Sequence, residues 1–90
     1  VMIRTKIKVI NKLGLHARVA TKLASLAGRY SCSIHTGEKQ PLVDAKSIMS
    51  LMLLAANQGT DLIFEFDGLG QEKAQAAVKE LFEDYFGDGE

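Results

Sequence analysis

Ile3, Thr5, Ile7 and Val9 alternate with Arg4, Lys6 and Lys8. A period of two predicts a half-buried strand with a basic outer face. Asn11-Lys12-Leu13-Gly14 breaks the alternation and predicts a loop. From Ala17 the spacing changes, with Ala20, Leu23, Ala24 and Ala27 at i, i+3, i+4 and i+7, the stripe of an amphipathic helix. Gly28 is expected to close it as a left-handed C-cap. Cys32, Ile34 and Thr36 share one face of a second strand, and Gly37-Glu38-Lys39 turns the chain into a short third strand near Leu42–Val43. Ser47 stands as the N-cap of an apolar helix over Ile48–Ala56, with Gly59 closing it. Leu62, Phe64 and Phe66 alternate with Asp61, Ile63, Glu65 and Asp67 in a fourth strand. Gly68-Leu69-Gly70 then leads into a last helix with Ala74, Ala77, Val78, Leu81 and Tyr85 on one stripe. The order βαββαβα predicts an α+β fold in which one sheet carries its helices on a single face.

The length of 90 residues fits a single domain over 1–90. With 47% hydrophobic and 24% charged residues the chain reads as an ordinary globular domain. The lone cysteine, Cys32, excludes an internal disulfide framework and a cysteine-rich zinc site, and favours a reducing, cytoplasmic setting. The N-terminal stretch lacks a continuous apolar run, so neither a signal peptide nor a membrane span is expected. Formal net charge is zero but unevenly placed: Arg4, Lys6, Lys8, Lys12, Arg18, Lys22 and Arg29 precede the first acid, Glu38, and acids collect at Glu80, Glu83, Asp84, Asp88 and Glu90. This asymmetry fits a basic face meeting a negative partner, and it fits equally well a set of solvated lysines.

Two histidines are present. His35 has the opposite parity to Cys32 and Ile34 and is expected to face outward without a role. His16 lies between Gly14 and a helix beginning near Ala17, with Arg18 two residues on. Backbone N–H groups at a helix start lack intrahelical partners, and the helix dipole adds positive character there, so Ala17 and Arg18 form an anion-binding arrangement. Arg18 adds a permanent cation suited to phosphate oxygens. A neutral imidazole carries a ring-nitrogen lone pair, so His16 is the candidate for nucleophilic attack. Taken alone, Gly-x-His-x-Arg describes a capping or merely exposed histidine just as well. No partner ligands stand at metal spacing from His16, and no glycine-rich nucleotide loop occurs, so no metal or cofactor is expected. A nucleic-acid role for the basic first strand lacks aromatic residues for base stacking.

At Gly14-Leu15-His16-Ala17-Arg18-Val19-Ala20, at Asp44-Ala45-Lys46-Ser47-Ile48-Met49 and at Gln58-Gly59-Thr60-Asp61, the sequence resembles the histidine-containing phosphocarrier (HPr) family of the bacterial phosphotransferase system. The likeness covers nearly the whole chain with motifs in the same order and at the same spacing. It implies an open-faced β-sandwich, a four-stranded antiparallel sheet covered on one face by three helices. It also implies a monomeric, stoichiometric carrier rather than an enzyme. By resemblance His16 is phosphorylated on Nδ1 by enzyme I, which draws on phosphoenolpyruvate, and Arg18 is the active-site arginine. The phosphoryl group then passes to enzyme IIA domains of a sugar or nitrogen-related branch. Val19 departs from the family's usual proline, which would fix φ and remove a donor in the first turn. Ser47 has two readings: a helix cap, and the regulatory serine that HPr kinase/phosphorylase modifies in some relatives, with a transcriptional regulator as a further partner. A regulatory binding module acting through Ser47 is the competing function, although an intact His16 counts against a purely regulatory role. Ile48, Met49, Leu51, Met52, Leu53 and Leu54 exceed what one buried stripe needs, so Ile48, Met49 and Leu53 are assigned to partner docking, with Met49 and Leu53 the most exposed.

Overall fold

The computed structural model describes residues 1–87, so Asp88 and Glu90 of the acidic run lie outside the described residues. The elements are β1 (Ile3–Lys8), α1 (Ala17–Ala27), β2 (Ser33–Gly37), β3 (Val43–Asp44), α2 (Ile48–Leu53), β4 (Asp61–Asp67) and α3 (Gln71–Glu83), followed by a 3-10 turn at Tyr85–Gly87. The strands make one antiparallel sheet in the order β1-β4-β2-β3. Along β4 the register runs from Ile3↔Phe66 to Lys8↔Asp61 on one side and from Ser33↔Asp67 to Gly37↔Ile63 on the other.

The period-two pattern decides which face is covered. Ile7, Ile34, Thr36, Leu62, Phe64 and Phe66 are buried under the helices. On the open face the Arg4 Nε donates to Glu65 at 2.9 Å and the Lys8 Nζ lies 3.1 Å from Asp61. Such exposed pairs add little stability, but opposite charges on neighbouring strands favour this register over a slipped one. His35 stands on the same face with Asp44 and Glu65 opposite it on the two adjacent strands. It faces outward as expected, yet it is half-buried rather than freely exposed.

The stripe of α1 is the expected one, Ala20, Leu23, Ala24 and Ala27, and Val19 is buried beside it. On α3 the stripe is rotated: Ala74, Val78 and Phe82 are buried, while Ala77 and Leu81 are only half-buried and Tyr85 is exposed. Phe82 displaces them because a phenyl ring buries more apolar surface than alanine, and tyrosine keeps its hydroxyl wet. Phe82 meets Phe64 edge-on at 5.8 Å and Phe86 at 4.8 Å, and Phe64 stacks on Phe66 at 5.9 Å. Lys22 of α1 donates to the Phe86 carbonyl at 2.6 Å, which ties the terminal turn to the first helix.

Three boundaries differ from the sequence reading. Gly28 is right-handed at φ −65°, because α1 closes through the Arg29 and Tyr30 N–H groups reaching back three residues to Leu26 and Ala27. β3 falls one residue beyond Leu42–Val43. Helix α2 ends at Leu53 instead of Ala56, with Ala55 at φ 51° just after it, so that Gly59, also at positive φ, lies beyond the helix stop. A tertiary bond explains the early end, since the Ala56 carbonyl accepts from Leu15 N–H at 3.0 Å.

Removing the ring that joins α3 to the sheet should be expensive. Phe82→Ala is expected to cost about 3–5 kcal/mol in urea unfolding, without changing the two-state character of the transition.

Candidate functional site

The chain approaches His16 along a path fixed by backbone bonds. Past β1, Val9 N–H donates to Thr60 O at 2.8 Å and its carbonyl accepts from Gly59 N–H at 2.7 Å. Gln58 Nε2 donates to Ile10 O at 3.1 Å. The loop then closes on itself: Gly14 N–H reaches Asn11 O at 3.3 Å, and Asn11 Nδ2 reaches Gly14 O at 2.7 Å. Gly14 sits at φ 66°, and a Cβ there would lie 2.2 Å from the Ala56 carbonyl oxygen. Only glycine fits both the handedness and the contact.

His16 follows as the N-cap of α1, with φ −77° and ψ 175° and its carbonyl accepting from Ala20 N–H at 2.8 Å. The residue is half-buried, and its side chain makes no capping bond to the helix among the described residues. The first-turn N–H groups have no carbonyl four residues behind them, and the helix dipole is positive at this end. Ala17 and Arg18 are exposed on that turn. Val19, the next residue of that turn, is buried in the core. An imidazole held this way offers a ring nitrogen beside donors that suit an anion.

Ser47 caps α2, its Oγ accepting from Ser50 N–H at 3.2 Å, as expected. Helix α2 packs beside α1. On it only Leu51 is buried, while Ile48 is 40%, Met49 70% and Leu53 80% exposed, with Met52 also exposed. The apolar excess is therefore a surface, and Ile48, Met49 and Leu53 all belong to it. Leu13, in the loop before His16, is exposed as well. The sequence reading did not single out Leu13, Asn11 or Ala56. A leucine inside an Asn-Lys-Leu-Gly turn was the available signal for Leu13, whereas the parts played by Asn11 and Ala56 depend on contacts that no local pattern announces. Cys32 is buried, and no group of three metal-ligating side chains occurs among the described residues. No helix among the described residues is long and apolar enough to cross a membrane.

The comparisons agree with this geometry. The family model PTS-HPr, described as the PTS HPr component phosphorylation site, matches residues 3–84. The chain is 45% identical over 86 residues to a phosphocarrier protein HPr of Pseudomonas aeruginosa, covering 94% of this chain and 96% of that one. It is 40% identical over 89 residues to the HPr of Neisseria meningitidis, covering 99% and 100%. Among solved structures, the crystal structure of HPr-C-His from Thermoanaerobacter tengcongensis superposes with a TM-score of 0.90 at 35% identity, covering 96% and 97%.

Gly14→Ala adds a methyl that meets a backbone oxygen with no flexible neighbour to yield. It is expected to shift the loop off the segment after α2 and to lower the thermal midpoint, with amide NMR shifts concentrated at residues 11–17 and 54–57.

Proposed function

The chain belongs to the HPr family of phosphocarriers in the phosphotransferase system, and from that premise we propose that His16 takes a phosphoryl group from phospho-enzyme I and passes it to enzyme IIA domains. The half-buried His16 at the start of α1, its side chain not spent on capping the helix, is the chief support. The Nδ1 lone pair attacks phosphorus, the bond from phosphorus to its donor breaks, and the group now carried on nitrogen gains negative charge beside the first-turn N–H groups of Ala17 and Arg18. Arg18 supplies charge-assisted contacts to the phosphoryl oxygens. Helix-end effects of about 0.3–2 kcal/mol hold the phosphoryl group without trapping it, which suits a carrier that must give it up. On this reading the protein is a cytoplasmic, monomeric carrier consumed and regenerated stoichiometrically. It requires no metal or cofactor of its own.

The same reading assigns Ile48, Met49 and Leu53, on the helix beside α1, to partner docking. Ser47 stands at the head of that helix. A phosphate on Ser47 would add roughly −1.5 to −2 charges beside the apolar surface and displace an acidic partner. HPr kinase/phosphorylase, and through it a transcriptional regulator, are the partners that fit such a switch.

Incubation with enzyme I and phosphoenolpyruvate, followed by intact-mass measurement, tests the carrier role. The wild type is expected to gain one phosphoryl group that is acid-labile and base-stable, His16→Ala none, and Arg18→Ala the same group more slowly. An unmodified wild type would remove the reading. With HPr kinase and ATP, an acid-stable gain lost in Ser47→Ala is the expected sign of the regulatory site.

A further inference from the structure

The loop before His16 contains a polar side chain that surface chemistry does not explain. Asn11 is only 2% exposed. Burying a carboxamide costs free energy unless its atoms are hydrogen-bonded. Here Nδ2 makes a short bond to Gly14 O at 2.7 Å, while the buried Oδ1 has no partner among the described residues. The single bond from Nδ2 has to offset the cost of burying the unpaired Oδ1. What Nδ2 holds is therefore the informative part.

It holds one end of a peptide plane. The Gly14 carbonyl and the Leu15 N–H belong to the same rigid amide. Asn11 Nδ2 fixes the carbonyl end, and Ala56 O fixes the N–H end at 3.0 Å. Backbone alone closes the turn weakly, since Gly14 N–H reaches Asn11 O at 3.3 Å. The buried Leu15 side chain anchors the next residue, and His16 leaves this pinned amide directly into α1. Without the carboxamide, the amide keeps a single point of attachment and can rock about it, which swings the backbone from which the His16 ring projects.

We propose that Asn11 is a positioning residue for phosphoryl transfer, setting the entry of His16 into α1 through the Gly14–Leu15 peptide. This rests on His16 being the phosphoryl acceptor. In-line transfer needs the attacking nitrogen within about 3–3.5 Å of phosphorus, and a misplacement of about 1 Å costs on the order of 100-fold in rate.

The test is the rate of transfer from phospho-enzyme I as a function of carrier concentration. Asn11→Asp keeps the side-chain volume but presents oxygen to Gly14 O, and Asn11→Ser removes the amide donor without adding charge. Either folded variant is expected to lower the maximal rate by about 10- to 100-fold with the half-saturating concentration unchanged, because the surface on α2 is untouched. Phe82→Ala, destabilised far from the loop, is expected to keep the wild-type maximal rate while it remains folded, which separates positioning from stability. In the wild type, the Asn11 side-chain amide hydrogens should exchange slowly with solvent, a measurement that needs no variant to fold. A wild-type maximal rate in the folded variants, a rise in half-saturation alone, or rapid exchange of those hydrogens would overturn the proposal. A wild type that accepts no phosphoryl group overturns the carrier reading and this role together, so the two failures are distinguishable.

Discussion

The Ala56 carbonyl joins the loop that precedes α1 to the segment that follows α2, accepting Leu15 N–H while lying against Gly14. Much of the functional end of the molecule depends on that seat. It requires glycine at position 14, it stops α2 short, and it leaves Ala55 in a left-handed conformation that alanine adopts only under tertiary constraint. Such strain persists where surrounding bonds over-determine it, and here Gln58, Gly59 and Thr60 all bond to the strand end at Val9 and Ile10. The loop is therefore clamped from its far side, which holds firmly the approach to a half-buried histidine.

Two neighbouring surfaces arise from this clamp. One is polar, the opening of α1 with His16, Ala17 and Arg18. The other is apolar, the outer face of α2 with Met49 and Leu53. They are covered by different physics, partial charge from a helix end on one side and removal of hydrocarbon from water on the other. A six-residue helix could not form by propensity alone. Leu51 in the core and the Ser47 cap hold it, so its remaining apolar side chains can stay outside.

Much of this was legible from the sequence because the decisive signals are local. The alternation in β1 and β4, the i, i+3, i+4, i+7 stripe of α1 and the serine before an apolar run each report a single element, and each stands where it was expected. Met49 and Leu53 were legible by excess, since one stripe cannot bury so many apolar residues. The failures share a different cause. Gly28 and Gly59 carry the composition of helix stops, but whether a glycine is used as one depends on which carbonyls its neighbours can reach. Phe82 won burial through contact with Phe64, a residue distant in sequence, and Phe86 by packing on Phe82 in turn. Asn11 looked like any turn residue because its bond to Gly14 and its burial are three-dimensional facts.

The formal net charge of zero has a bearing on the open face of α2. A molecule without overall charge has no long-range repulsion to keep copies of itself apart. What α2 leaves uncovered is a handful of side chains, Ile48, Met49, Met52 and Leu53. A contact confined to so few side chains would fall among the small, transient interfaces. Under the proposed carrier role, brief residence on such a surface would serve a protein that leaves one macromolecule in order to meet the next.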